Sequence, residues 1–193
     1  SFFSYNNRDA ENNPFLVLNS AYFSNGIYLK INNIFSDVII KIISNGEKDE
    51  YKSSYSRIHI DIDENIKSKI ILHHIGFNDE KYYKNNVLTV NADKNSNISF
   101  INLFEESNQS FSMNNIILNQ KSHSEIKQSS FYLSSGFIRT DISNNLNEPE
   151  SYSSINGLFL GYDNQFIDNN IVINHKSKNT YSKVLYKGIL DGK

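Results

Sequence analysis

Five histidines are the side chains of this 193-residue chain best suited to metal binding or proton transfer. Two of them, His73 and His74, are adjacent in sequence. On a strand, neighbouring side chains point to opposite faces, so this pair cannot easily chelate one ion. Closed metal sites also use three or four ligands. We therefore predict that one of the two lies in a core, that the other lies in water, and that they hold no metal.

Carboxylates occur in two short groups that a sugar-cleaving enzyme could use as an acid and a base. The groups are Asp61, Asp63 and Glu64, and the pair Glu105 and Glu106. Such catalysis needs two carboxyl groups at a set separation, one with its pKa raised by burial. Asp61 and Asp63 alternate with isoleucines and so belong to the opposite, wet face of a strand. We interpret these acids as a solvated edge.

Nucleophilic catalysis lacks the residues that it needs. The chain contains no cysteine, which excludes disulfides and a thiol nucleophile. Serine is abundant, but neither a Gly-x-Ser-x-Gly elbow nor a phosphate-binding glycine loop accompanies it. The sequence therefore predicts a protein that is not an enzyme.

Arg139, Asp141 and His175 are the remaining residues that could belong to a functional site. Arg139 and Asp141 share one face of a predicted strand, which is typical of a ladder of surface charges. His175, counted by twos, shares the apolar face with Ile171 and Ile173. A lone histidine there is usually a core residue with a backbone or water partner. A ligand or proton-handling role is the alternative.

The candidate residues above lie in or beside short apolar runs, several of which alternate with a period of two. Residues 27–31 and 57–63 alternate clearly, as half-buried strands do. Further β-branched runs predict strands at 38–43, 69–74, 87–90, 98–103, 131–142, 155–162 and 166–175. No apolar stripe of period 3.6 persists for the ~12 residues of a convincing helix. The sequence therefore predicts an all-β fold.

The residues alone leave a sandwich, a barrel and a solenoid open. Asn-Gly hairpin signals are scarce, and asparagine-rich corners without them favour a coil that winds in one direction. Residues 47–55 and 78–86 look like polar excursions from regular structure. No linker divides the chain, so we expect an N-terminal flanking segment at 1–12, with a frayed end or a short helix, and one core domain at 13–193.

Composition excludes several kinds of partner. The net charge is −2 and the isoelectric point is near 6.2, so no basic field exists to recruit nucleic acid or anionic lipid. No apolar run approaches the ~18–20 residues that cross a bilayer. We expect a soluble, cytoplasmic protein. Because the chain begins at Ser1 and its single methionine is Met113, we also expect a fragment.

Several ordered motifs resemble the SufB/SufD family of iron–sulfur cluster assembly proteins, and its SufD side in particular. The matching segments are residues 13–21, 135–141, 156–160, 168–175 and 185–192. They follow one another in the family's order from the start of the predicted core to the end of the chain. An ordered set of this kind is far more specific than any one segment.

The resemblance implies a right-handed parallel β-helix that serves as a non-enzymatic scaffold. It implies pairing with a SufB-like homologue, docking of the SufC ATPase through a C-terminal region beyond residue 193, and a transient cluster at the SufB–SufD interface. Clusters are held mainly by thiolates, so a chain without cysteine binds no cofactor alone and belongs to the SufD side. His175 is the residue that we expect near the cluster.

The sequence departs from the family pattern at three positions. Asn170 and Ile171 stand where the family usually has His-Thr, and Thr180 stands where cysteine often occurs. Chemistry that depends on the first of those histidines is therefore in doubt, and His175 remains. The alternative function is a β-helical carbohydrate-binding or carbohydrate-cleaving protein, although the chain has no tryptophan to line a saccharide groove.

Overall fold

Twelve strands and one short helix make up the structure, a computed structural model that describes residues 13–33, 37–47, 49–77 and 79–191. The helix is α1 (Pro14–Tyr22). The strands are β1 (Asn25–Ile31), β2 (Val38–Ser44), β3 (Lys52–Ile62), β4 (Lys67–Gly76), β5 (Tyr82–Ala92), β6 (Asn97–Glu105), β7 (Ser110–Gln120), β8 (Glu125–Ser134), β9 (Phe137–Leu146), β10 (Tyr152–Tyr162), β11 (Phe166–His175) and β12 (Tyr181–Asp191).

The strands form two six-stranded sheets that are each parallel throughout. Sheet A has the order β1-β3-β5-β7-β9-β11, and sheet B has the order β12-β10-β8-β6-β4-β2. Each coil of the chain therefore adds one strand to each sheet. Register partners in neighbouring coils lie between 26 residues apart, as for Phe111 and Phe137, and 32 apart, as for Val38 and Ile70. The prediction of an all-β parallel solenoid is confirmed.

Alternate residues of every central strand point into the space between the sheets. In β6 the even-numbered residues are buried and the odd-numbered ones are partly exposed. The inward residues of successive coils stack in rows, such as Ile58, Leu88, Ile116 and Ile142 in sheet A. These rows meet those of sheet B in one apolar core.

Asparagine-rich corners join sheet A to sheet B, as the sequence predicted. Asn65, Asn95 and Asn179 adopt the left-handed conformation, with φ of 63°, 57° and 54°. Asparagine tolerates that region better than most residues with a side chain. The corners also stack, because the Asn95 side chain donates to Asn65 Oδ1 at 3.1 Å. Each corner therefore turns the chain without a hairpin and supports its neighbour.

Helix α1 was not predicted, because its nine residues are too few to show a helical period. Asn13 caps it by accepting from the backbone N–H groups of Phe15 and Leu16 at 3.0 and 3.3 Å, and Pro14 occupies the first turn. The helix lies on sheet A, where Leu16 packs against Val87 and Ile117. Within the described residues, no helix is long and apolar enough to cross a bilayer.

The interpretation of 47–55 and 78–86 as excursions is wrong for much of both segments. β3 already begins at Lys52 and β5 at Tyr82, and the two strands pair from these residues onward. Their polar side chains misled the pattern, since Lys84 and Asn85 are buried and hydrogen-bonded inside the fold. Residues 1–12, predicted as a flanking segment, lie outside the described residues.

Candidate functional site

His175 ends β11 and is exposed, so the expectation of a core histidine is wrong. It continues the row of Ala92, Gln120 and Leu146, but its ring contacts the corner before β12 and the start of that strand. Nδ1 lies 2.7 Å from Thr180 Oγ1, and Nε2 lies 3.0 Å from Ser182 Oγ. Two hydroxyl groups thus fix the orientation of the imidazole.

Arg139 joins two carboxylates on the outer face of sheet A. Its guanidinium donates twice to Asp141, at 3.0 and 3.2 Å, and once to Asp168 in the next coil, at 2.7 Å. The hydrogen bonds to Asp141 raise the pKa of Arg139. The predicted pairing of Arg139 with Asp141 is confirmed. The bond from Arg139 to Asp168 was not predicted, because Asp168 lies one coil further along the chain.

The Asp141 carboxylate also accepts a hydrogen bond from Asn13, the residue that caps helix α1. Asn13 Nδ2 donates to Asn115 Oδ1 at 2.7 Å and to Asp141 Oδ2 at 3.3 Å. Arg139 also lies over the Phe15 ring, with 5.9 Å between its guanidinium carbon and the ring centroid. Residues from three of the sequence motifs therefore meet at one place, where they pin α1 to sheet A.

A groove of about 450 Å³ opens beside this cluster. Arg139, Asp141, Asn170 and Asn174 line it together with the start of α1. Asn170 faces outward into the groove, whereas Ile171 points inward and packs against the core. Two of the three positions that depart from the family pattern, Asn170 and Ile171, thus lie on opposite faces of β11, and of these two only Asn170 is available to a ligand.

The last two coils are interlocked by glycines and aromatic rings. Gly157 pairs with Tyr186, and Phe159 pairs with Gly188, across β10 and β12. A methyl group on Gly157 would lie 2.2 Å from the Tyr186 ring, and one on Gly188 would lie 2.1 Å from the Phe159 ring. Both glycines come from sequence motifs, so these motif residues serve the packing of one coil on the next.

Comparison with known proteins agrees with this motif set. Residues 42–193 match the family model described as SUF system FeS cluster assembly, SufBD core domain. The chain belongs to the SufBD core family. It is also 26% identical over 147 residues to the iron–sulfur cluster assembly protein SufD of Escherichia coli (strain K12). That alignment covers 75% of this chain and 34% of the relative, so the chain spans about one third of the relative's length.

Within this SufBD core domain, the adjacent histidines occupy the two faces of β4, as predicted. His74 is buried, while His73 faces outward and lies 2.5 Å from Glu105 Oε2. Among the residues that the structure describes, no group of three or more histidine, cysteine or acidic side chains is placed to hold a metal ion.

A buried ionic network surrounds His74 in the interior of the SufBD core domain. Lys84 Nζ pairs with Glu106 Oε1 and lies 3.2 Å from His74 Nδ1. Tyr82 donates to Glu106 Oε2 at 2.5 Å and accepts from the Ser107 backbone N–H at 3.0 Å. All five residues are buried. The interpretation of Glu106 as part of a solvated edge is therefore wrong.

Burial sets the charge states in this network. It lowers the pKa of His74 well below its usual value, and the neighbouring Lys84 lowers it further. Burial also lowers the pKa of Lys84, although Glu106 opposes that shift. Burial and Glu106 together raise the pKa of Tyr82. His74 is thus a neutral acceptor beside a buried ion pair, and sequence periodicity gave no signal for it.

The first acid group lies at the outer surface, as predicted. Asp61 accepts from Asn91 at 2.8 Å and from Tyr28 at 2.9 Å. Although burial acts to raise the pKa of Asp61, the bonds from Asn91 and Tyr28 outweigh it and leave that pKa lowered. A general acid needs a raised pKa. Asp61 therefore does not supply the acid of a sugar-cleaving pair.

Proposed function

We propose that this chain is the β-helix core of a SufD-type scaffold subunit for iron–sulfur cluster assembly. The observation that carries the proposal is the family match over residues 42–193 on a parallel two-sheet solenoid. The 26% identity to a SufD protein supports the SufD side of the family. In this proposal the subunit is not an enzyme, and its work is to complete an assembly.

A SufB-like homologue is the partner that we propose, with a SufC-type ATPase acting on the pair. The cluster is the cargo of this assembly, and it needs thiolate ligands. This chain has no cysteine, so the sulfur ligands must come from outside these 193 residues, and we propose that the partner supplies them. That requirement favours a heterodimer in which this chain shapes the site and its partner holds the cluster. We propose a cytoplasmic location for the assembly.

Co-expression tests this partnership. The full-length protein that contains this chain should co-elute with the SufB-like and SufC-like proteins of its own organism as one complex with a defined mass in light scattering. A full-length protein that folds but elutes alone beside both of them would contradict the proposal.

His175 is the side chain that we propose to lie near the nascent cluster. Its exposed ring and its two hydroxyl partners, Thr180 and Ser182, support a side chain that is oriented yet accessible. In the full-length complex, His175→Ala should lower the yield of cluster measured by its visible absorption and iron content.

An exposed histidine two coils away provides the matched control. His123 lies in a corner with φ of 57°, which asparagine tolerates, so His123→Asn should leave the cluster yield unchanged. An unchanged yield in His175→Ala, with the complex intact, would remove His175 from the mechanism and leave the scaffold role standing.

A further inference from the structure

Helix α1 covers one of the two outer faces of the solenoid. It packs across β3, β5 and β7 of sheet A. Sheet B has no helix on its outer face among the described residues, although apolar side chains are exposed there. We call the outward-pointing residues of β2, β4, β6, β8, β10 and β12 the sheet B face.

Apolar side chains form a continuous patch in the middle of the sheet B face. Register places Ile71 beside Ile101, and it places Phe131 between Leu103 and Leu158. Leu185 pairs with Asn156 and lies diagonally across from Leu158. The central members are Ile71, Ile101, Leu103, Phe131, Leu158 and Leu185. A groove of about 240 Å³ lies at one end of the patch, between Phe131, Leu158 and Leu185. Leu185 is exposed and the other five are partly exposed, and a contiguous apolar surface of this kind is typical of an interaction site.

Lysines surround this patch and give the sheet B face a positive charge. The outward-pointing lysines are Lys41, Lys67, Lys69, Lys127, Lys183 and Lys187. Three carboxylates point the same way, those of Glu105, Glu125 and Asp191. The whole chain carries a net charge of −2, so the positive charge is concentrated on this face.

The outer face of sheet A differs in its charge. There Lys30, Arg57 and Arg139 are matched by the carboxylates of Asp61, Asp141 and Asp168. Two of these cations are bonded to groups on their own face, since Arg57 donates to Asn19 and Arg139 donates to Asp141. The excess of cations is therefore specific to the sheet B face.

We propose that the sheet B face docks an amphipathic helix of another protein, with an apolar stripe bordered by carboxylates. The fold shows the same arrangement on its other side, where α1 lays Leu16 across Val87 and Ile117. The distance from β4 to β12 is about 19 Å at ~4.8 Å per strand, which a helix of about 13 residues spans. The lysines of the sheet B face would then lie beside the carboxylates of the docked helix.

A second copy of this chain fits the sheet B face poorly. Two-fold pairing would place the same surface on both sides of the interface. Two faces that each carry more lysines than carboxylates would then meet, and like charges that face each other destabilise an interface. The charge of the face therefore favours an acidic partner over self-association. This inference goes beyond the proposed function and does not depend on it.

A pair of designed peptides tests the proposal directly. The first is an 18-residue helix with leucines at i, i+3 and i+7 spacing and glutamates beside them, and the second replaces every glutamate by lysine. Fluorescence anisotropy with the 193-residue chain should show at least tenfold tighter binding of the acidic peptide. Two double variants should each weaken binding of the acidic peptide at least tenfold. One is Lys69→Glu with Lys183→Glu, and the other is Leu103→Ser with Phe131→Ser.

Two exposed lysines outside the face provide the matched control. Lys176→Glu with Lys178→Glu makes the same change in net charge and should leave binding within twofold, with circular dichroism showing that every variant is folded. Equal binding of both peptides would overturn the proposal. The proposal would also be overturned if the chain sedimented with vesicles of phosphatidylcholine and phosphatidylglycerol in a way that depends on these lysines. Dimerisation of the chain that is abolished by Lys69→Glu with Lys183→Glu would overturn it as well.

Discussion

Lys84 and Glu106 form an ion pair in the interior, beside an apolar core that is rich in isoleucine. Both side chains are fully buried, and Tyr82 and His74 bind their remaining polar atoms. Removing one member of a buried pair leaves an uncompensated charge, which typically costs about 3–5 kcal/mol. Replacing both members with apolar side chains of similar volume is often much less harmful.

We therefore expect Lys84→Met alone to lower the free energy of unfolding by about 3–5 kcal/mol. The double variant Lys84→Met with Glu106→Leu should be more stable than either single variant. Urea denaturation of the four proteins completes the double-mutant cycle. Additive effects of the two substitutions would show that the pair is not coupled.

The lowered pKa of His74 makes a second prediction at the level of a residue. In the unfolded chain a histidine takes up a proton near pH 6.5, whereas the folded chain does not until the pH is much lower. The unfolded state therefore binds more protons below pH 6.5, and stability falls as the pH falls, by up to ~1.4 kcal/mol per pH unit. Above pH 6.5 this group gives no pH dependence.

The variant His74→Phe should flatten the dependence of melting temperature on pH between 7 and 5. Phenylalanine retains the stacking on Phe104, whose ring centroid lies 4.5 Å from that of His74. His123→Asn controls for the loss of an exposed histidine and should follow the original curve. If the melting temperature of His74→Phe shows the same pH dependence as that of the original protein, His74 takes up a proton in the folded state as it does in the unfolded state, and the prediction is wrong.

At the level of the element, the coils depend on small residues where a ring from the neighbouring strand must lie. Gly157 and Gly188 admit the rings of Tyr186 and Phe159, so β10 and β12 fit in only one register. Overpacking a site of this kind typically destabilises a protein by about 1–3 kcal/mol.

Gly157→Ala should therefore lower the melting temperature, because its methyl group would meet a ring held in the core. Gly161→Ala in the same strand is the matched control. A methyl group there meets only the end of the exposed Leu190 side chain, 2.7 Å away, which can move. Differential scanning calorimetry should show a clear loss for Gly157→Ala and a small change for Gly161→Ala; equal losses would refute the interlock.

At the level of the whole molecule, each coil contacts mainly the coils on either side of it. Solenoids of this kind have stabilities that sum over repeats and their interfaces. In the 193-residue chain the middle coils, β5 to β8, have neighbours on both sides and contain the buried ion pair of Lys84 and Glu106. Among the strands that the structure describes, β1 and β2 of the first coil each pair on one side only.

Amide hydrogen exchange should therefore be slowest in β5, β6, β7 and β8 and faster in β1 and β2, because strands with one neighbour open with less loss of packing. Peptide-level mass spectrometry measures these rates. Uniform protection along the chain would show instead that all coils unfold as one cooperative unit.

The sequence by itself predicted the all-β class and most of the strands, although it gave no signal for β7 or β12 and merged the end of β8 with the start of β9. Its ordered motifs indicated the family and, through the family, the parallel winding. Alternation of apolar residues is a local property of a strand, and the asparagine corners lie within a few residues of one another. The opposite placement of His73 and His74 followed from the same local rule. So did the pairing of Arg139 with Asp141.

Only the tertiary structure decided which residues meet across coils. Asn13 reaches Asp141, 128 residues away, and Lys84 in β5 pairs with Glu106, which directly follows β6 in the opposite sheet. Helix α1 is likewise held by its contacts with sheet A more than by a periodic pattern. These contacts depend on the register between coils, because a shift of one residue would turn every side chain to the other face. Periodicity places a side chain on a face of its own strand, and the register alone decides its neighbour.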